Sequence, residues 1–435
     1  MSLSIVMIGT GYVGLVSGAC LSALSHNVLC IDVDPQKIET LNNGGCPLFE
    51  EGLPELLTKV RNSGHLLFST QLPKSLESVD AVFLGVGTPQ NDEGRADMTY
   101  INAAFESLLP RLGEKTVVVT KSTVPVGTCT RLANWMKKER PELEGHLASN
   151  PEFLREGSAV DDFMNPDRVV TGARTQHAHD TMAAIYKPLT DKGVTHLQTD
   201  PQSSEIIKYA ANAFLATKIG FINEMAALCE NVGGNVGAVS EGMGLDTRIG
   251  HRFLRAGPGY GGSCFPKDTS ALKHIAEDAG TVANVTQSAI TANINAQKRM
   301  VDKIEKLAGF LEGKTVACLG LTFKPGTDDM RDSPSLTILP ALMAKGAKVR
   351  GIDVAGTEQA KSLMDIEFCD NISETIQGAD ILIMMTEWPE YTSLNPSDLA
   401  VQMNEDAVVA DLRRVWTKKQ LLDSGFKDAY IVGES

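Results

Sequence analysis

The sequence predicts an α/β protein in which two doubly wound, parallel-sheet domains are joined by a central helical segment with a long connecting helix. Three observations carry this. Strand-length β-branched runs alternate with helical patterns from the outset, in "SIVMIGTG", "NVLCIDVD", "AVFLGVGTP" and "TVVVTKSTV", which is the grammar of parallel βαβ units. After about residue 310 that grammar restarts, strand for strand, with "TVACLGLTFKP", "AKVRGIDV", "ADILIMMTEW" and "AVVADLRR". Between the halves the pattern is helical. The expected divisions are a Rossmann-like domain over residues 1–200, a helical dimerisation segment over 201–300 and a second Rossmann-like domain over 301–435.

Length agrees with several domains, because 435 residues exceed what one ordinary core holds. With 43% hydrophobic and 22% charged residues the chain reads as globular. Its longest apolar runs, "AVFLGVG" and "ILIMM", are strand-length, so no membrane span is expected. The chain enters a strand without the charged and apolar regions of a signal peptide. A net charge of −14 repels nucleic acid, and an anionic substrate would need local Lys and Arg. Eight cysteines are scattered without a CxxC pair, which suits the reducing cytoplasm. "HAH" at 177–179 is the one close histidine pair, and it lacks further ligands, so no metal is expected.

The first strand runs straight into "GTGYVG", placing Gly9, Gly11 and Gly14, with Tyr12 and Val13, at the start of a helix. Glycines there permit a tight turn, a close pyrophosphate and close helix–strand packing, while the helix N-terminus offers N–H groups to phosphate. Asp32 ends the second strand, eighteen residues past Gly14. A carboxylate at that point accepts from ribose hydroxyls and repels a 2′-phosphate, favouring NAD over NADP. Lys37 lies near the ribose or is a solvated helix lysine.

The central segment opens with "SSEIIKYAANAFLATKIGFINEMAALCENVGG", read as one long helix capped by its serines and stopped by the glycine pair. Lys208 and Asn212 sit at i, i+4 on one of its faces, where an ammonium beside an amide can stabilise an oxyanion. "NPEFLREG" places Glu152 and Glu156 at the end of a strand, where open α/β sheets bind ligands. "KSTVPVGT" places Thr123 after the preceding strand, a hydroxyl able to hold water. In "GPGYGGSCFPKD", glycines let backbone approach a ligand beside Cys264, and Lys267 favours its thiolate, the nucleophilic form. An NAD enzyme needs such a nucleophile if it carries an aldehyde on to an acid.

In their order and spacing these motifs, with "GTP" at 87–89, "FINE", "TRIG" and "LTFKPGTDDMRDSP", resemble the UDP-glucose/GDP-mannose dehydrogenase family nearly end to end. The resemblance implies NAD-dependent four-electron oxidation of UDP-glucose at C6 to UDP-glucuronate, two NAD being used in succession. A sibling activity on GDP-mannose or a UDP-N-acetylhexosamine is the alternative. It implies that Cys264 is the nucleophile and that Lys208 with Asn212 stabilises oxyanions. Asp268 and Thr123 would serve proton transfer through a water, and Glu152 would assist thioester hydrolysis. Thr88, Thr123, Glu156, Lys267 and Arg331 would join the NAD site. Substrate contacts would come from Glu152, Phe153, Leu154, Lys208, Asn212, Phe253, Leu254, Arg255, Tyr260, Gly261, Phe323, Lys324 and Arg413. Arg248 would reach a neighbouring subunit's site, making a homodimer the expected assembly. The second half lacks GxGxxG, having "GLTFKPG" instead, so it should hold its nucleotide differently.

Overall fold

β1 (Ser4–Ile8) shows why the strand runs are continuously apolar. Ile5 and Met7 enter one buried cluster and Val6 and Ile8 enter another, on the opposite face of the sheet. In the computed structural model, which describes residues 2–143 and 145–434, β1 is followed by β2 (Asn27–Ile31), β3 (Leu66–Ser69), β4 (Ala81–Leu84), β5 (Val117–Thr120), β6 (Leu147–Ser149), β7 (Val169–Ala173) and β8 (His196–Thr199). They form one sheet in the order β3-β2-β1-β4-β5-β6-β7-β8, parallel except where β6 meets β7 (Ala148↔Ala173). This sheet and its helices make a compact unit, Met1–Ala211.

The second unit, Asn212–Ser435, holds β9 (Thr315–Leu319), β10 (Lys348–Ile352), β11 (Glu367–Phe368), β12 (Ile381–Met384), β13 (Val408–Asp411) and β14 (Asp428–Ile431). Their order, β11-β10-β9-β12-β13-β14, repeats the first six positions of the other sheet. The echo reaches individual side chains. Ser4 N–H donates to Asp80 at 2.7 Å, and Thr315 N–H donates to Asp380 at 2.8 Å. Gly9 (φ +96°) bonds Ile31 O at 2.7 Å, and Gly320 (φ +88°) bonds Ile352 O at 2.9 Å. Asp32 accepts from Thr10 N–H and Oγ1 at 2.7 and 2.8 Å, while Asp353 accepts from Thr322 N–H and Oγ1, both at 3.0 Å. One difference matters. Asp353 also takes Leu321 N–H at 2.6 Å and the Trp388 indole N–H at 3.3 Å, so an indole covers the carboxylate that would otherwise meet a ribose.

A single helix, Pro201–Val232, spans 32 residues. It begins two residues before the serines expected to cap it, because Pro201 fits the first helical position and Asp200 is the cap. Asp200 accepts from Ser203 N–H at 2.9 Å and from its hydroxyl at 2.6 Å. One turn on, buried Glu205 takes Gly127 N–H at 2.6 Å and Cys129 N–H at 2.9 Å, at the start of the helix Thr128–Glu139. Further along, Ile222 and Ala226 join Met300 and Ile304, of the helix Asn284–Ala308, in the same core as Val316 and Cys318. Packing there is close, since a Cβ on Gly220 would lie 3.2 Å from that of Ala292.

Candidate active site

The glycine loop is built for a ligand as well as for packing. A Cβ on Gly14 would lie 2.1 Å from Gly9 O, and one on Gly9 would lie 2.7 Å from Gly85 O, so both are demanded by backbone contact. Gly11 is different, because nothing lies within 4 Å of where its Cβ would be. A glycine that packing does not require leaves room for backbone to meet a pyrophosphate, and the helix Tyr12–Ala23 starts immediately after it. Burial works against ionisation of Asp32, yet the N–H groups of Asp34 and Thr10, the Thr10 hydroxyl and nearby Lys37 outweigh it and hold the carboxyl below its usual range. The residues therefore fit a dinucleotide with a free 2′-hydroxyl. Thr88 Oγ1 donates to Thr123 O at 2.8 Å, tying the loops after β4 and β5.

Glu50, which no sequence motif marks, binds the glycine loop to the "NPEFLREG" loop. It is 4% exposed and accepts from the Tyr12 hydroxyl, from Gly157 N–H at 2.6 Å and from Ala159 N–H at 2.6 Å. Burial, then Glu50, pushes the Tyr12 phenol far above its usual range, so it stays a donor. Glu156, in the same loop, interacts electrostatically with Tyr12.

Glu152 and Lys208 form a buried ion pair, Nζ to Oε1 at 3.0 Å, with side chains only 5% and 4% exposed. The other Glu152 oxygen takes Leu154 N–H at 2.5 Å. Burial alone would raise the Glu152 carboxyl, but Lys208, the Leu154 N–H and Lys121 carry it below its usual range. Phe153 lies under two cations, Arg168 at 3.8 Å and Lys208 at 5.4 Å from the ring centroid.

In the second unit Cys264 is the N-cap of the helix Phe265–Asp278. Six of the eight cysteines are buried; Cys264 and Cys46 are half-buried. The helix N-terminus favours negative charge on sulfur, and Ser263 Oγ lies 3.5 Å from Sγ. One turn along, fully buried Asp268 receives Asn212 Nδ2 at 2.6 Å and Lys267 Nζ at 2.5 Å.

The remaining residues of this unit divide by surroundings. Tyr260 is 6% exposed, its N–H held by Asn293 Oδ1 at 2.7 Å and its ring edge-on to Phe265. A Cβ on Gly261 would strike Asp332 O at 2.2 Å, and the Phe323 ring presses on Gly262. Lys324 Nζ lies over the Phe323 ring at 5.5 Å. Phe253 adopts φ +65°, a strained value for a bulky residue. Leu254 is 2% exposed and belongs to the core, and its carbonyl accepts from the Ser240 hydroxyl at 2.6 Å. Arg413 bonds Met385 O at 2.7 Å and Phe323 O at 2.8 Å, clamping two loops, and Arg255 bonds Arg413 O at 2.7 Å. Arg331 makes a forked pair with Asp329 at 2.8 and 3.0 Å. The Arg248 side chain is 87% exposed and paired with Asp246 at 2.7 Å. Among the described residues no cluster of three or more His, Cys, Asp or Glu could hold a metal ion, and no helix is long and apolar enough to cross a membrane.

A dinucleotide cleft in one Rossmann-like unit and a cysteine-capped helix in another define a nucleotide-dependent oxidoreductase. The chain belongs to the UDP-glucose/GDP-mannose dehydrogenase family: models of its NAD binding, central and UDP binding domains match residues 3–190, 202–295 and 317–418. It is 44% identical over 434 residues to UDP-glucose 6-dehydrogenase of Rhizobium meliloti, covering 99% of both chains. It is 42% identical to UDP-glucose 6-dehydrogenase YwqF of Bacillus subtilis, covering 99% of this chain and 98% of that one. The solved UDP-glucose dehydrogenase of Pyrobaculum islandicum superposes with a TM-score of 0.89 at 34% identity, covering 100% of this chain and 98% of the other.

Proposed function

We propose that this chain oxidises UDP-glucose at C6 to UDP-glucuronate with NAD, through a covalent intermediate on Cys264. The observation that carries the covalent route is Cys264 itself, a half-buried thiol at a helix N-terminus in a glycine-lined turn. Bound NAD is the hydride acceptor. Gly9, Gly11 and Gly14 would receive its pyrophosphate, and Asp32 its ribose. Lys208 and Asn212 would stabilise negative charge on the reacting oxygen. Cys264 would add to the aldehyde carbonyl, because an aldehyde has no hydride to lose until a nucleophile has added. Asp268 would take the proton released, and Thr123 would hold a water. Glu152 would remove a proton from the water that cleaves the thioester and frees the sulfur. The uridine diphosphate would be held by the second unit, with Phe323 and Lys324 near it.

The division of labour proposed is NAD binding in residues 1–200, dimerisation in 201–300 and UDP-sugar binding in 301–435. An exposed apolar stripe on the long helix supports dimerisation. Phe214, Phe221 and Leu228, 66%, 43% and 51% exposed, recur every seven residues on one face, the spacing of a helix seam. The proposed occupant is a second copy of the chain, and Arg248 the residue that crosses to it. Burial of most cysteines as free thiols supports the cytoplasm as its compartment.

The test is a panel of UDP-glucose, GDP-mannose and UDP-N-acetylhexosamines at saturating NAD. UDP-glucose should yield two NADH per sugar, and Cys264→Ser should stall at or after the second oxidation. Full acid production at wild-type rate by Cys264→Ser would remove the cysteine from the mechanism.

A further inference from the structure

Lys121 follows β5 directly, one residue before the "STVPVG" run. Its N–H bonds Leu84 O at 3.0 Å, which turns the side chain inwards, where it is 4% exposed. Nζ donates to Asn150 Oδ1 at 3.2 Å and lies 5.6 Å from the Phe163 ring centroid. Asn150 is itself fixed, accepting from the Tyr186 hydroxyl at 2.5 Å and donating to Val170 O at 2.8 Å. An ammonium has three donors, and this one lines a cavity of about 40 Å³ that Glu152 lines as well, a volume that admits water.

Burial dominates the electrostatic surroundings of Lys121, and Glu152 supplies the opposing charge. Burial pushes Lys121 down to about 8, with Glu152 opposing that fall and Lys208 adding to it. Cys20 also interacts electrostatically with it, but burial pushes that thiol up to about 12, so it is neutral there. The other charged groups lining the cavity are engaged elsewhere: Asp162 with Arg155 at 2.5 Å, and Arg168 over Phe153 at 3.8 Å.

We propose that Lys121 is a positioning residue for Glu152, a second buried countercharge that, with Lys208, keeps this carboxylate negative and directed at its working partner. Two cations for one carboxylate leave Lys208 free to serve developing oxyanions without abandoning Glu152 to a dry pocket, where an unpaired charge is costly. The inference rests on the reading of Glu152 as the base for thioester hydrolysis.

The experiment measures kcat against pH for wild type, Glu152→Gln, Lys121→Met and Lys121→Arg, alongside KM for UDP-glucose. Glu152→Gln identifies the acid limb that belongs to Glu152; if that limb persists in it, the reading of Glu152 fails. Lys121→Met should move the limb upward by about one to two pH units, the effect of losing an adjacent opposite charge, with KM little changed. Lys121→Arg keeps the charge, has the cavity to grow into, and should leave the limb where wild type has it. An unmoved limb in Lys121→Met, with the Glu152→Gln limb abolished, overturns the inference alone. Should the methionine variant not fold, wild type decides: the Glu152 carboxyl, identified by its infrared band missing in Glu152→Gln, must titrate below the ordinary glutamate range, and titration at or above that range overturns the proposal.

Discussion

Asn212 donates to Asp268 across 2.6 Å, and Lys267 approaches the other oxygen of the same fully buried carboxylate at 2.5 Å. Asp268 thus accepts from two donors from within the first turn of the helix that Cys264 caps. Asp268→Asn would set an amide donor against both partners. Turnover should fall by about 10²-fold or more, the ordinary contribution of a positioned acid or base, while NAD affinity by fluorescence titration stays near wild type. Near-normal turnover would reduce Asp268 to a structural cap.

Asp32 is expected to govern cofactor choice through one carboxylate already anchored by the N–H groups of Thr10 and Asp34. Asp32→Ala should raise KM for NAD and lower KM for NADP, because repulsion of the 2′-phosphate is gone. Steady-state kinetics with both cofactors decide it. Wild-type enzyme that used NADP as well as NAD would contradict the assignment.

Glu50 should affect NAD before it affects the sugar. Glu50→Gln keeps shape but offers one acceptor to the Tyr12 hydroxyl and two N–H donors, so the glycine loop loses its tie to Gly157. KM for NAD should rise about tenfold, near the cost of one or two charge-assisted bonds, with Tyr12→Phe showing a smaller part of the same rise. Equal increases in both Michaelis constants would indicate general disruption instead.

Glu205 makes stability depend on pH. Burial pushes its carboxyl from 4.5 up to about 7, against the pull of the Cys129 and Gly127 N–H groups. A folded-state value above the unfolded one means its contribution is complete below about 4.5 and is lost as pH rises through about 7, a change of roughly 3 kcal/mol. Denaturant unfolding of wild type and Glu205→Gln at pH 5 and pH 8 should show the wild-type advantage shrinking by that order. A constant difference would place the titration elsewhere.

Much of this architecture was legible because its signals are local. Strand runs, the glycine spacing before Tyr12 and the aspartate ending β2 each depend on a few consecutive residues. Glu50 was not legible, because the donors it serves at Gly157 and Ala159 lie more than a hundred residues away in sequence. Lys121 stood in plain view beside Thr123, yet only folding reveals that it lines the same cavity as Glu152. The long helix was misread at its start for the opposite reason: two serines imitate a cap, but the helix already begins two residues earlier at Pro201 and Asp200 takes the role.

Trp388 sets a limit on traffic. The indole bonded to Asp353 occupies the carboxylate that matches Asp32 of the first unit, so a dinucleotide is expected in the first unit alone. An enzyme that removes two hydrides with one berth must discharge its spent carrier and admit a fresh one midway, while the half-finished sugar stays aboard. On the proposed route the sulfur of Cys264, together with the second unit's hold on the nucleotide, would keep the sugar in place during that exchange.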